Sequence, residues 1–147
     1  MALHFTREEF ADRQRRVAAA LAAKGLAGLL LFRQESMYYL TGYDSFGYVF
    51  FQCLYLGADG SLVLLTRLPD LRQAEHTSTI GNIRIWVDRV HADPTLDLEA
   101  MLEERGCRGT CLGIELDAYG LTGRRLKAIE ARLEGFCRLQ DESDLVS

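Results

Sequence analysis

The run LAGLLLF, Leu26–Phe32, decides how this chain folds. It is too short to span a bilayer, and its apolar residues do not alternate with polar ones. That pattern reads as a strand covered on both faces, a central position in a sheet rather than an edge. What flanks it fixes the fold class. Upstream, Thr6 and Glu9 form a capping box, and Phe5 and Phe10 occupy the two positions of a hydrophobic staple. Phe10, Val17 and Leu21 recur at helical spacing and Gly25 follows Lys24 as a left-handed cap, so the sequence predicts a helix over Arg7 to Lys24.

Downstream, ESMYYLTGY (Glu35–Tyr43) reads as a short helical turn broken at Gly42. YVFFQCLYL and SLVLLT flank GADG, which predicts a hairpin from Tyr48 to Thr66. A helix is expected after Pro69 in LPDLRQAEHT, and a strand at IRIWV. Asp93 as N-cap with Pro94 in the first turn opens a helix that runs towards Arg105. A strand at CLGIE, a helix capped by Thr122 and running through Leu133, and a strand at FCRL complete the pattern. Helices alternate with strands apart from one hairpin, which predicts an α/β fold: a mixed sheet of five or six strands with helices on its faces. The 147 residues read as a single domain, with no internal repeat and no low-complexity segment. The polar tail QDESDLVS reads as the start of a connection.

The charge balance narrows the function classes. Seventeen basic and twenty-one acidic residues, interspersed, give a net charge of −4, and nothing in that balance argues for nucleic acid or an anionic membrane. MALHFTREEF lacks the features of a secretory signal, so a cytoplasmic protein is the simplest reading. Cys53, Cys107, Cys111 and Cys137 are then expected to be reduced thiols, three of them in strand-like patterns.

No catalytic constellation is complete. A nucleophilic Cys needs a His partner, and only His4, His76 and His91 are on offer. Cys107 and Cys111 have the spacing of half a zinc site, without a second pair. Glu115 and Asp117 would share one face if both lay in a strand, and with Asp88 or Asp93 they would make an oxygen-rich site for magnesium or manganese. The structural alternative is that Glu115 ends a buried strand while Asp117 caps a turn. HExxH, a phosphate-binding glycine loop and a nucleophile elbow are all missing from the sequence.

ADRQRRVAAAL, KGLAGLLLF, ESMYYLTGY, the hairpin, LGIELDAYGLT and DESDLV, in that order, resemble the N-terminal domain of the creatinase, prolidase and aminopeptidase P family. The resemblance implies a ribonuclease H-like topology. It also implies that residues 1–147 precede a C-terminal "pita-bread" catalytic domain absent from this chain, so that the chain alone is inactive. It implies a role in capping the active site of a hydrolase that cleaves a C–N bond, peptide or amidine, in a small-molecule or dipeptide substrate. Dimerisation and substrate selection would belong to the same role. No cofactor is implied for this chain. The missing domain would hold two manganese or cobalt ions in the peptidase branches and none in the creatinase branch. The implied partners are that catalytic domain and a second copy in a homodimer. The aromatic region would supply substrate contacts: Tyr43, Tyr48, Phe50 and Gln52, with Arg72 able to pair with a substrate carboxylate through its planar fork. Creatinases carry an Arg in this region and this chain does not, which argues against creatine itself. A stand-alone protein- or peptide-binding module on the same fold is the rival reading, and a self-contained metal hydrolase using Glu115 and Asp117 is a third.

Overall fold

The computed structural model describes residues 5–44, 51–67, 71, 74–75, 80–87 and 90–146. Its centre is a mixed six-stranded sheet: β1 (Gly28–Leu31), β2 (Cys53–Gly57), β3 (Leu62–Arg67), β4 (Ile83–Trp86), β5 (Cys111–Ile114) and β6 (Arg138–Asp141), in the order β4-β3-β2-β1-β5-β6. Strand β2 runs antiparallel to both β1 and β3, while β1–β5, β3–β4 and β5–β6 are parallel. The run LAGLLLF is therefore interior, and every residue of β1 is buried.

Alternation along β1 and β2 feeds two separate cores. Leu29, Leu31, Leu54 and Leu56 pack with Val17 and Leu21 of α1 (Arg7–Ala23) and with Met37 and Leu40 of α2 (Gln34–Thr41). Leu30, Cys53 and Tyr55 face the other way. They pack with Leu98, Met101 and Leu102 of α3 (Pro94–Glu104) and with Ile129 and Leu133 of α4 (Gly123–Leu133). The result is three layers, helix on sheet on helix. Where β1 meets β2, Gly28 lies against the Tyr55 ring, and a Cβ there would fall 2.5 Å from a ring carbon.

Local signals account for the element ends. Thr6 Oγ1 accepts the Glu9 backbone N–H at 3.1 Å, and the Phe5 and Phe10 rings meet edge to face at 6.0 Å. The helix closes at Lys24, with Gly25 at φ 72°. Asp93 and Thr122 cap α3 and α4 through their side chains. Two boundaries differ from expectation. The last strand begins at Arg138 rather than Phe136, because Gly135 turns the chain at φ 78° and Phe136 is spent filling the core below α4. Strand β5 ends at Ile114, so Glu115 and Asp117 are not strand neighbours on one face. Glu115 is buried and Asp117 exposed.

The helix expected after Pro69 lies largely outside the described residues, as does the start of the expected hairpin. Among the described residues, no helix is long and apolar enough to cross a membrane.

Because Leu30 is fully buried between two helical layers, Leu30→Ala is expected to lower stability by about 2–5 kcal/mol. Urea unfolding monitored by circular dichroism measures this, and a loss well below 1 kcal/mol would contradict the two-sided burial of β1.

Candidate functional site

Helix α2 carries the chain from the central strand into the aromatic segment, and distant side chains hold it at both ends. Its N-cap, Arg33, offers no capping side chain. The Glu115 carboxylate takes that place. Oε1 accepts the backbone N–H groups of Phe32 and Arg33, both at 3.0 Å, and Oε2 accepts the Ser36 hydroxyl at 2.6 Å. A negative charge at a helix N-terminus is favourable, and here it also satisfies donors that the helix leaves orphaned. At the other end, the carbonyls of Tyr39 and Leu40 accept from Arg13 Nη1 and Gln14 Nε2 of α1, each at 2.8 Å. The Arg13 guanidinium also stacks between the rings of Phe5 and Tyr39, at 4.4 and 4.3 Å from their centroids.

Gly42 at φ 80° ends α2, and Tyr43 follows. The Tyr43 hydroxyl donates to Gln52 Oε1 at 2.9 Å, and the same oxygen accepts from Thr66 Oγ1 at 3.3 Å. Tyr43 is 0% exposed and Gln52 4% exposed. Two of the five residues expected to contact substrate are thus brought together in the interior, where they tie the end of α2 to the start of β2 and to β3. Tyr48, Phe50 and Arg72, the other three, lie outside the described residues. Phe51 packs edge to face on Phe32 at 6.1 Å.

Of the remaining candidates, His4, His76 and Asp88 lie outside the described residues, and Asp117 is exposed. All four cysteines are free thiols. Burial pushes Cys53 and Cys107 up, with the charge of Glu115 adding to the effect at Cys53, and burial raises Cys137 to about 11. Thiols shifted in that direction are poor nucleophiles at neutral pH. Among the described residues, no group of three or more His, Cys, Asp and Glu side chains could hold a metal ion. Glu115 in particular already has three donors on its two oxygens. Sequence reasoning missed one concave feature, a cleft of about 500 Å³ lined by Phe51, Trp86, His91 and Arg124 among others.

The sequence matches the Creatinase/Prolidase N-terminal domain family over residues 13–147. The chain belongs to that family. Aligned over its full length, it is 29% identical to the ectoine hydrolase of Halomonas elongata, covering 38% of that protein. It is 27% identical, over 83% of its length, to an uncharacterized hydrolase/peptidase of Sinorhizobium fredii, covering 33% of it. The chain therefore spans about a third of the length of these curated relatives. Among solved structures, the N-terminal domain of the cytoplasmic peptidase PepQ from Mycobacterium tuberculosis superposes with a TM-score of 0.71 at 25% identity, covering 92% of this chain and 95% of that one. A prolidase from Thermococcus sibiricus shares the fold, with a TM-score of 0.76 at 22% identity, covering 93% of this chain and 35% of that one.

Glu115 supplies a test of this anchoring. Burial pushes its carboxyl above the ordinary range, against the opposing pull of the Ser36, Arg33 and Phe32 donors. A carboxyl whose pKa is higher folded than unfolded binds its proton more tightly when folded. Stability is then greatest below the ordinary carboxylate range, falls as pH rises to the folded value, and is flat above it. Glu115→Gln should remove that decline while keeping an acceptor for the two N–H groups. Glu115→Ala leaves three donors unmatched and should cost about 2–4 kcal/mol. Unfolding free energies of the three proteins across the acid range decide the matter; superimposable pH profiles for wild type and Glu115→Gln would contradict it.

Proposed function

We propose that this chain is the non-catalytic N-terminal domain of a hydrolase that cleaves a C–N bond, peptide or amidine, in a small substrate. In this reading it caps the active site carried by a C-terminal catalytic domain, takes part in a homodimer and helps select the substrate. The observation that carries the reading is the family match, which takes in nearly the whole chain. The full-length alignment with an enzyme named for ectoine hydrolysis supports the small-substrate part. The likeness to a cytoplasmic peptidase supports a cytoplasmic setting.

The chemistry would belong to the catalytic domain, including any pair of divalent ions, manganese or cobalt, that a peptidase-type site uses. A creatinase-like site would use none. This chain would contribute contacts from the aromatic segment and from Arg72. Since Tyr43 and Gln52 are bonded to each other inside the core, we assign them to holding that segment and assign substrate contact to Tyr48, Phe50 and Arg72.

The longer protein, assayed with and without manganese or cobalt against Xaa–Pro dipeptides, ectoine and other cyclic amidines, should turn over at least one of them. Residues 1–147 alone should turn over none. Arg72→Ala in the longer protein should raise KM for a carboxylate-bearing substrate by about tenfold, the loss of one charge-assisted contact, with a smaller effect on kcat. No turnover of any of these compounds would count against the hydrolase reading, and peptide binding in its place would favour a stand-alone binding module.

A further inference from the structure

The exposed apolar side chains of the described residues gather at one end of the sheet. Strands β1, β3, β4, β5 and β6 run in one direction and β2 runs against them, so the five C-terminal ends lie together. Val87 and Val90 follow the end of β4, Leu116 and Tyr119 follow the end of β5, and Leu96 lies in the first turn of α3, which starts from that end. All five are exposed, Val90 to 83% and Tyr119 to 92%. Phe5 and Tyr39, also exposed, lie where α1 begins and α2 ends, again at this end, with Arg13 stacked between them.

The opposite end is different. Among the described residues it exposes no large hydrophobic side chain, and its turns present Lys24, Asp59, Asn82, Arg105 and Glu134. Single exposed apolar residues are ordinary on a protein surface, whereas their concentration on one face marks a binding surface. The C-terminal ends of the strands are also where open α/β sheets bind their ligands. Polar links fix the loops that carry this rim. Trp86 Nε1 donates to the Phe51 carbonyl at 2.9 Å, which ties the end of β4 to the residues before β2. Arg132 Nη2 donates to Asp93 Oδ2 at 3.0 Å, which joins the start of α3 to α4. Arg125 Nη1 donates to the Gly120 carbonyl at 3.0 Å, which holds the loop carrying Tyr119 against α4. A face held in this way needs little ordering on binding.

The way the chain leaves the sheet identifies the occupant. Strand β6 ends at this same end, and the residues after it are bonded to the rim: the Leu116 backbone N–H donates to Ser143 Oγ at 2.9 Å, and the Ser143 N–H donates to Asp141 Oδ1 at 3.0 Å. The matched part covers 38% and 33% of the two curated relatives, so most of each relative lies outside it. A domain that continues from Ser143 therefore starts beside Leu116, already tethered to the apolar end. A second copy of this chain has no such tether, and a small ligand does not need a band that runs from β4 to β5. We propose that this end of the sheet is the docking face for the catalytic domain, seated on Val87, Val90, Leu116 and Tyr119. The inference rests on the hydrolase reading above, which supplies the domain, and adds the surface that meets it.

Thiol accessibility tests it. Val90→Cys and Tyr119→Cys on the rim, and Asn82→Cys and Glu134→Cys at the opposite end, are made both in residues 1–147 and in the longer protein. Maleimide labelling rates are read peptide by peptide by mass spectrometry, so that the four native cysteines are counted apart. In residues 1–147 all four introduced thiols should react at the rate of an exposed cysteine. In the longer protein the two rim thiols should react severalfold more slowly, with the other two unchanged. Equal reactivity of all four in a longer protein that turns over substrate overturns the docking face and leaves the hydrolase reading standing, as does protection at Asn82→Cys and Glu134→Cys in place of the rim. Absence of a catalytic domain from the longer protein overturns both. Rim protection in residues 1–147 alone that grows with protein concentration gives the face to a second copy and overturns the proposal.

Discussion

The placement of α2 depends on one buried carboxylate. Glu115 leaves the end of β5, crosses to the end of β1 and closes the start of α2, so three elements meet on two oxygen atoms. Burying a charge is costly unless it is hydrogen-bonded, and breaking a satisfied arrangement costs more than never building it. The geometry of the helix start is therefore strongly specified. Arg13 and Gln14 then bond the far end from α1, so a helix of only two turns, marginal by itself, is anchored at both ends. Gly42 ends the helix, and the Tyr43–Gln52–Thr66 bonds tie its end to the residue before β2 and to β3.

The same bonds commit two aromatic-segment side chains to the interior. The polar groups of Tyr43 and Gln52 are consumed there, bonded to each other. Cys53, Cys107, Glu115 and Asp93 are engaged in packing and capping. Raised thiols, a Glu115 saturated with donors and an Asp93 spent on Thr95 and Arg132 all point the same way.

Much of the fold was legible in sequence because its signals are local. The capping box at Thr6, the glycine after Lys24, the Asp93–Pro94 start and the GADG turn each act within a few residues, and the unbroken apolar run LAGLLLF carries the two-sided burial. What was not legible depends on partners far along the chain. Glu115 could be recognised as the end of a strand, but its donors lie 79 to 83 residues away, and no local pattern announces them. The late start of β6 has a similar origin, since Phe136 suits a strand by propensity and is claimed instead by the core beneath α4. The cleft beside Trp86 escaped for the same reason. Its wall comes from β4, the residues before β2 and two helices, which are far apart in the chain.

The central claim is that this domain covers a catalytic site built from chain that follows it. Sequencing the coding frame beyond Ser147 tests that claim most directly. The account predicts continuation into a second domain carrying either the two aspartates, histidine and two glutamates of a metal-dependent peptidase site, or a histidine-based pocket without them. A stop codon immediately after Ser147 would contradict it, and the aromatic segment would then have to be explained without an active site to cover.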